Sequence, residues 1–173
     1  YLLAENPTTA AKLQEEVDAR LGRRRATADD ARELPCARAV VKETMRMLPP
    51  AWIIGREAIE EVEIGGWTIP VGSQVLMPQC LVHVDERWYD DPGVFRPERW
   101  LEGIEDDLPR FAYFPFGGGK RICIGNYFAM MEAILVVATM AQHVEVENVS
   151  EHELETVPAV TQRPAAPIEI KIH

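Results

Sequence analysis

Residues Phe114 to Gly125 read F-P-F-G-G-G-K-R-I-C-I-G. Three consecutive glycines, two cations and one cysteine are followed by a long apolar run, so a tight loop must feed directly into a helix. Gly117, Gly118, Gly119 and Gly125 permit backbone conformations and close approaches that a Cβ would block. A large planar group can then lie almost against the main chain. Cys123 is the chemical centre of the loop. A thiol must lose its proton to bind metal well. Lys120 and Arg121 favour the anion, as does the N-terminus of a helix beginning beside Cys123. Phe116 supplies an aromatic wall that shields the sulfur. A phosphate loop does not fit, because that pattern needs a glycine five positions before Gly119-Lys120 and a Ser or Thr after it. Phe114 and Arg121 stand there. A buried structural thiol is the other reading of a lone cysteine.

The 173 residues suffice for one domain with a core. With 28 acidic and 18 basic residues, the formal charge is -10. That balance argues against nucleic acid and against an anionic membrane surface as partners. Cys36, Cys80 and Cys123 are odd in number and form no C-x-x-C, so a disulfide framework is not expected and a reducing compartment is. The histidines at 83, 143, 152 and 173 lack ligand-type spacing and read as surface or lightly buried imidazoles. No apolar run is long enough to span a bilayer. The chain starts at Tyr1 in what reads as the end of an apolar element, and is taken as the C-terminal part of something longer.

Asn6-Pro7 predicts a helix start, with Asn6 as N-cap, and Gly22 predicts its end. A second helix is expected from Pro35 to about Leu48, stopped by Pro49-Pro50. Two short strands are expected around Gly65-Gly66, a further strand over 71–77, and a short helix near Val82 to Trp88. The stretch from Asp90 to Pro115 is rich in Pro and acids but carries Phe95, Trp100, Phe111, Tyr113 and Phe114. It reads as a packed meander rather than a linker. Ile124 to about Ala141 reads as a helix apolar nearly all round, hence buried, and the tail as short strands with a turn at Pro158.

Glu43 and Arg46 lie three apart on the second helix and so share a face. They sit among Val40, Val41, Met45 and Met47, where a carboxylate needs cationic partners. Arg99 is the candidate third member. Lys42-Glu43-Thr44-Met45-Arg46, Pro97-Glu98-Arg99-Trp100 and the loop spacing Phe116-x-x-Gly119-x-Arg121-x-Cys123-x-Gly125 follow one another in this order. Together they resemble the E-x-x-R, P-E-R-F/W and haem-binding motifs of the cytochrome P450 superfamily. The resemblance covers essentially the whole chain.

The resemblance implies a mainly α architecture with small antiparallel β-sheets. Residues 1–173 would form the C-terminal, haem-ligating part of one larger domain. It implies haem b (iron protoporphyrin IX) with Cys123 as axial ligand, a thiolate that pushes electron density to iron and favours O–O cleavage. Glu43, Arg46 and Arg99 would brace the loop; Arg121 and Arg56 would meet propionates, although Arg56 also reads as an exposed strand-edge arginine. Ala51 to Ile54 and Ala159-Val160 would face substrate. The oxygen-activating helix of the family would precede Tyr1. The implied reaction is insertion of one oxygen atom from O2 into a small hydrophobic substrate, with electrons from a ferredoxin or flavoprotein reductase. The acidic composition and the lack of a visible anchor point to a cytoplasmic, soluble setting, with an upstream membrane tether left open. Two alternatives remain open at this point. One is a haem-thiolate peroxygenase or isomerase, and the other a truncated, non-catalytic interaction domain.

Overall fold

The computed structural model describes residues 1–173. After a single helical turn, α1 (Leu2–Glu5), the first long helix is α2 (Pro7–Leu21). Pro7 occupies its first turn, where a missing N–H costs nothing. Asn6 stands at the cap position, yet its amide donates backward to the Leu2 carbonyl (2.8 Å) and leaves α2 uncapped. The expected side-chain cap is therefore absent. Gly22 ends the helix at φ 56, a conformation suited to glycine. A 3₁₀ turn (Ala28–Arg32) with a Thr27/Asp30 capping box leads to α3 (Pro35–Met47).

Beyond α3 the chain builds ribbons. Strands β1 (Ile54–Glu57) and β4 (Gln74–Met77) pair antiparallel, with Arg56 opposite Val75. Between them β2 (Val62–Ile64) and β3 (Trp67–Ile69) form a hairpin whose turn residues Gly65 and Gly66 have φ 57 and 83. Both central residues of such a turn need positive φ, which explains the Gly-Gly pair. The helix expected over 82–88 lies earlier, as α4 (Gln79–Val82), and turns follow it. The meander is packed as expected, but it also holds two single-turn helices, α5 (Glu98–Leu101) and α6 (Ile104–Asp107). Phe95 and Trp100 are buried there, whereas Phe111 is exposed.

The last helix, α7 (Asn126–His143), begins two residues later than expected. Its burial also departs from expectation. Only Ile134 and Ala138 are fully enclosed, packed with Leu13, Val17, Leu34 and Val41 from α2, α3 and the segment between them. Phe128, Val136 and Met140 point outward along one stripe. Apolar composition all round says that a helix can be buried, not that this part of the chain holds enough structure to bury it. The tail forms two ribbons, β5 (Val146–Asn148) with β8 (Ile170–Ile172) and β6 (Thr156–Pro158) with β7 (Gln162–Pro164). No helix is long and apolar enough to cross a membrane. The mainly helical class with small antiparallel sheets matches the sequence reading.

Candidate functional site

Apart from Arg56 on β1, the candidate site residues fall in two neighbouring regions: a buried polar knot and an exposed cysteine loop. The knot centres on Glu43, which has no solvent exposure. Arg46 binds it bidentately, Nε to Oε2 and Nη2 to Oε1, each at 2.9 Å. The three-residue spacing on α3 sets this fork, as the sequence implied. Arg99, placed by α5, adds Nε to Oε1 at 3.1 Å. Trp100 Nε1 donates to Oε2 (2.8 Å) and the Arg96 main-chain N–H donates to Oε1 (2.9 Å). Five donors thus converge on one carboxylate, which offers about four lone-pair positions. The arginines spend their remaining donors on main-chain carbonyls. Arg46 reaches His83 O (2.9 Å), and Arg99 reaches Asp90 O (3.0 Å). Burial pulls the Arg99 guanidinium down from its ordinary range, opposed mainly by Glu43. A buried ion cluster is stable only when satisfied to this degree.

Arg99, Glu43 and Arg46 are therefore brought together. Trp100 and His83 are the participants that sequence reasoning missed. His83 had read as a surface or lightly buried imidazole, but it is fully enclosed. Its position in the apolar run Leu81-Val82-His83-Val84 was the available sign. Its Nε2 accepts the Phe114 N–H at 2.9 Å, so the ring proton belongs on Nδ1. Nδ1 makes no well-formed hydrogen bond, although the Met45 carbonyl lies near enough to favour a proton there. Burial, helped by the Arg46 charge, pushes the imidazole down to about 4.

The cysteine loop is built from main-chain bonds. Phe114 O accepts the Gly117 N–H (2.8 Å), Gly119 O accepts Ile122 N–H (3.2 Å), and Phe116 O accepts Cys123 N–H (3.0 Å). The last bond closes the loop and ties the Cys123 main chain to that of the half-buried Phe116. Gly117 (φ 73) and Gly119 (φ 67) occupy the left-handed region. A Cβ at Gly118 would meet Phe111 Cε1 at 2.3 Å, and one at Gly117 would meet Ile54 Cδ1 at 3.3 Å. The loop therefore lies against the first residue of β1. A Cβ at Gly125 would stand 3.9 Å from the Cys123 Sγ. The helix does not begin beside the sulfur, as expected, but at Asn126, whose N–H meets the Cys123 carbonyl (3.4 Å).

Cys123 is the exposed thiol of the three; Cys36 and Cys80 are half-buried. Ile122 and Ile124, on either side of it, are 50% and 101% exposed. A soft donor thus opens onto an uncovered apolar surface. Arg121 and Arg56 are exposed, and no carboxylate pairs with either. Arg56 donates to its own neighbour, Gly55 O (2.7 Å). No group of three or more His, Cys, Asp or Glu converges into a metal site, so a metal bound here must bring most of its ligands with it. A thiol, a wide apolar face, glycines at the approach and two uncommitted guanidiniums suit a flat, largely apolar, carboxylated macrocycle holding iron.

Comparison with known proteins agrees with this chemistry. The family model described as cytochrome P450 matches residues 1–172. A Mycobacterium tuberculosis protein carrying the cytochrome P450 132 name is 42% identical over 164 residues, covering 95% of this chain and 35% of the relative. The cyclooctatin synthase of Streptomyces melanosporofaciens is 40% identical over 141 residues, 82% of this chain and 31% of the relative. Mouse cytochrome P450 4V2 is 34% identical over 175 residues, 99% of this chain and 33% of the relative. The chain spans about a third of the length of these curated relatives. It belongs to the cytochrome P450 family.

Proposed function

We propose that this chain is the C-terminal, haem-ligating part of a longer haem-thiolate monooxygenase that uses haem b. The observation that carries the reading is the exposed Cys123 thiol, on a glycine loop closed by the Cys123 N–H bond to Phe116 O, beside the satisfied Glu43–Arg46–Arg99 knot. Membership of the family and relatives such as a cyclooctat-9-en-7-ol 5-monooxygenase support it.

Each residue has a defined task in this reading. Cys123 Sγ would be the protein's sulfur ligand to the haem iron and must be deprotonated to serve. Phe116, bonded through its carbonyl to the Cys123 N–H, would supply an aromatic wall near the sulfur. Gly119 gives the loop its left-handed turn, and Gly125 keeps the space beside Sγ free of a side chain. Arg121 and Arg56 are free to receive the carboxylates of the macrocycle as bidentate partners. Glu43, Arg46 and Arg99 keep the support under the loop rigid. When bound, haem would supply the activation of O2; two electrons from outside and two protons would balance the entry of one oxygen atom into the substrate and the loss of the other as water. The electron donor is a ferredoxin or flavoprotein reductase, and the substrate is a small hydrophobic organic molecule. Residues that deliver protons to oxygen would come from elsewhere in the longer protein.

The test is the absorption spectrum of the reduced, CO-bound full-length protein. A thiolate-type Soret band is expected. Cys123→Ala should abolish it, while Cys36→Ala and Cys80→Ala should leave it unchanged. A band that survives loss of Cys123 overturns the assignment. Turnover with hydrogen peroxide but none with reductase would replace monooxygenase by peroxygenase.

A further inference from the structure

The one-turn helix α4 starts at one fully buried polar residue, Gln79, and is capped at its C-terminus by another, His83. Four residues apart on one helical turn, their side chains share a face. Both reach the same short stretch of chain. His83 Nε2 accepts the Phe114 N–H (2.9 Å), and the Gln79 amide donates to Pro115 O (3.3 Å). Pro115 has no N–H to offer, so these two side chains hold the Phe114 donor and the Pro115 acceptor, one at each end of the Phe114–Pro115 pair.

The turn is itself anchored. The Gln79 amide also donates to Ala51 O, Cys80 N–H donates to Trp52 O (3.2 Å), and His83 O receives Arg46 Nη1 (2.9 Å). One residue beyond Pro115, Phe116 O receives the Cys123 N–H. A continuous hydrogen-bonded route therefore runs from Glu43 through Arg46 and His83 to Phe114, and then along two peptide units to the bond that seats the cysteine. Gln79 Oε1 has no partner. The unmet acceptor is tolerated because the amide must present its NH2 group to two carbonyls at once.

We propose that Gln79 and His83 are positioning residues that grip Phe114–Pro115 and so set the height and aim of the Cys123 sulfur toward the cofactor. The proposal rests on the reading of Cys123 as the axial ligand. The essential property of His83 is an unprotonated acceptor at Nε2. The charged group bearing on the ring is the Arg46 guanidinium of α3, already held by Glu43, and the phenol of Tyr113 lies against it with ring centres 5.2 Å apart. Burial first, and then the Arg46 charge, keep the ring neutral.

The experiment uses the full-length protein with three variants. His83→Leu removes the acceptor, His83→Gln restores an oxygen near the place of Nε2, and Gln79→Leu removes the second grip. Two readouts are taken. In the haem-loaded protein, the share of the thiolate-type band in the reduced, CO-bound spectrum should fall in His83→Leu and recover in His83→Gln. In the protein without cofactor, hydrogen exchange at the Phe114 amide should quicken roughly fivefold in His83→Leu, as loss of one ordinary hydrogen bond implies, and return toward wild type in His83→Gln. Gln79→Leu should shift the spectrum in the same direction. The proposal is overturned if His83→Leu keeps the wild-type spectrum and exchange rate. It is also overturned if His83→Gln behaves as His83→Leu does, because packing and not the acceptor would then hold the loop. Should His83→Leu fail to fold, a wild-type spectrum in Gln79→Leu overturns it alone. If the wild type binds no haem, the ligand reading falls, while exchange at Phe114 still decides whether the grip exists.

Discussion

The polar knot and the cysteine loop lie close together but are opposites in construction. At Glu43, charge is enclosed and every oxygen is saturated by arginine, indole and main-chain donors. Around Cys123, the thiol and its neighbouring cations are exposed and uncommitted, and main-chain bonds close the loop, with side-chain anchors only at Phe114 and Pro115. Rigidity has been placed where nothing reacts. In the proposed reading, the exposed sulfur borrows its position from the buried knot beside it. If Cys123 is the ligand proposed above, such a division would leave it accessible to a large cofactor without leaving it free to wander.

Breaking the knot should give the largest effect. Glu43→Ala strands two buried guanidiniums, and urea unfolding of the full-length protein should show a loss of about 3–5 kcal/mol. Loss no greater than a surface ion pair would mean that the knot is not the stiff partner. Acid is the next lever. The unfolded chain protonates residue 83 near pH 6.5, whereas the folded chain refuses the proton until about 4. Folded His83 binds fewer protons in that window, so stability falls as pH drops through it, by about 3 kcal/mol in total, and levels off below it. His83→Gln should flatten this slope. Asp85, held down to about 2 by Arg87, acts in the same direction only below about pH 4.

Smaller changes sharpen the contrast from the loop side. Gly118→Ala drives a methyl into Phe111, and forced repacking of this kind costs about 1–3 kcal/mol. Because Phe111 is half-exposed and can swing aside, the low end is expected, read by thermal unfolding. The spectrum should suffer more than the stability, since the loop rather than the core is displaced. The smallest effect is expected at Trp52, whose indole donates to Ala159 O (2.8 Å) and pins the β6–β7 turn. Trp52→Phe should cost about 1 kcal/mol or less, leaving the CO-bound band in place.

Local chemistry was readable in the sequence, and distant pairing was not. Pro7 and Pro35 opened helices, Gly22 and Pro49-Pro50 closed them, and Gly65-Gly66 announced a hairpin. Each signal acts within a few residues. The fork from Arg46 to Glu43 was visible for the same reason. In contrast, β1 pairs with β4 across the whole intervening hairpin, and nothing in either tetrapeptide specifies that register. His83 was misread because its burial is imposed by α3 and the meander together. The apolar α7 was expected to be enclosed, yet one stripe of it is bare. Hydrophobicity reports an affinity for contact, and only tertiary context says whether contact is made.

The ribbon formed by β5 and β8 joins the exit of α7 to the end of the chain. Glu145 and His173 exchange both backbone hydrogen bonds, at 3.3 and 3.0 Å, and Asn148 reaches back to Glu5 (2.6 Å). Trimming Ile170 to His173 would therefore do more than shorten a tail. It would unzip the clasp that fastens the last helix to the opening turn, and slackening would begin where the two ends of the chain meet.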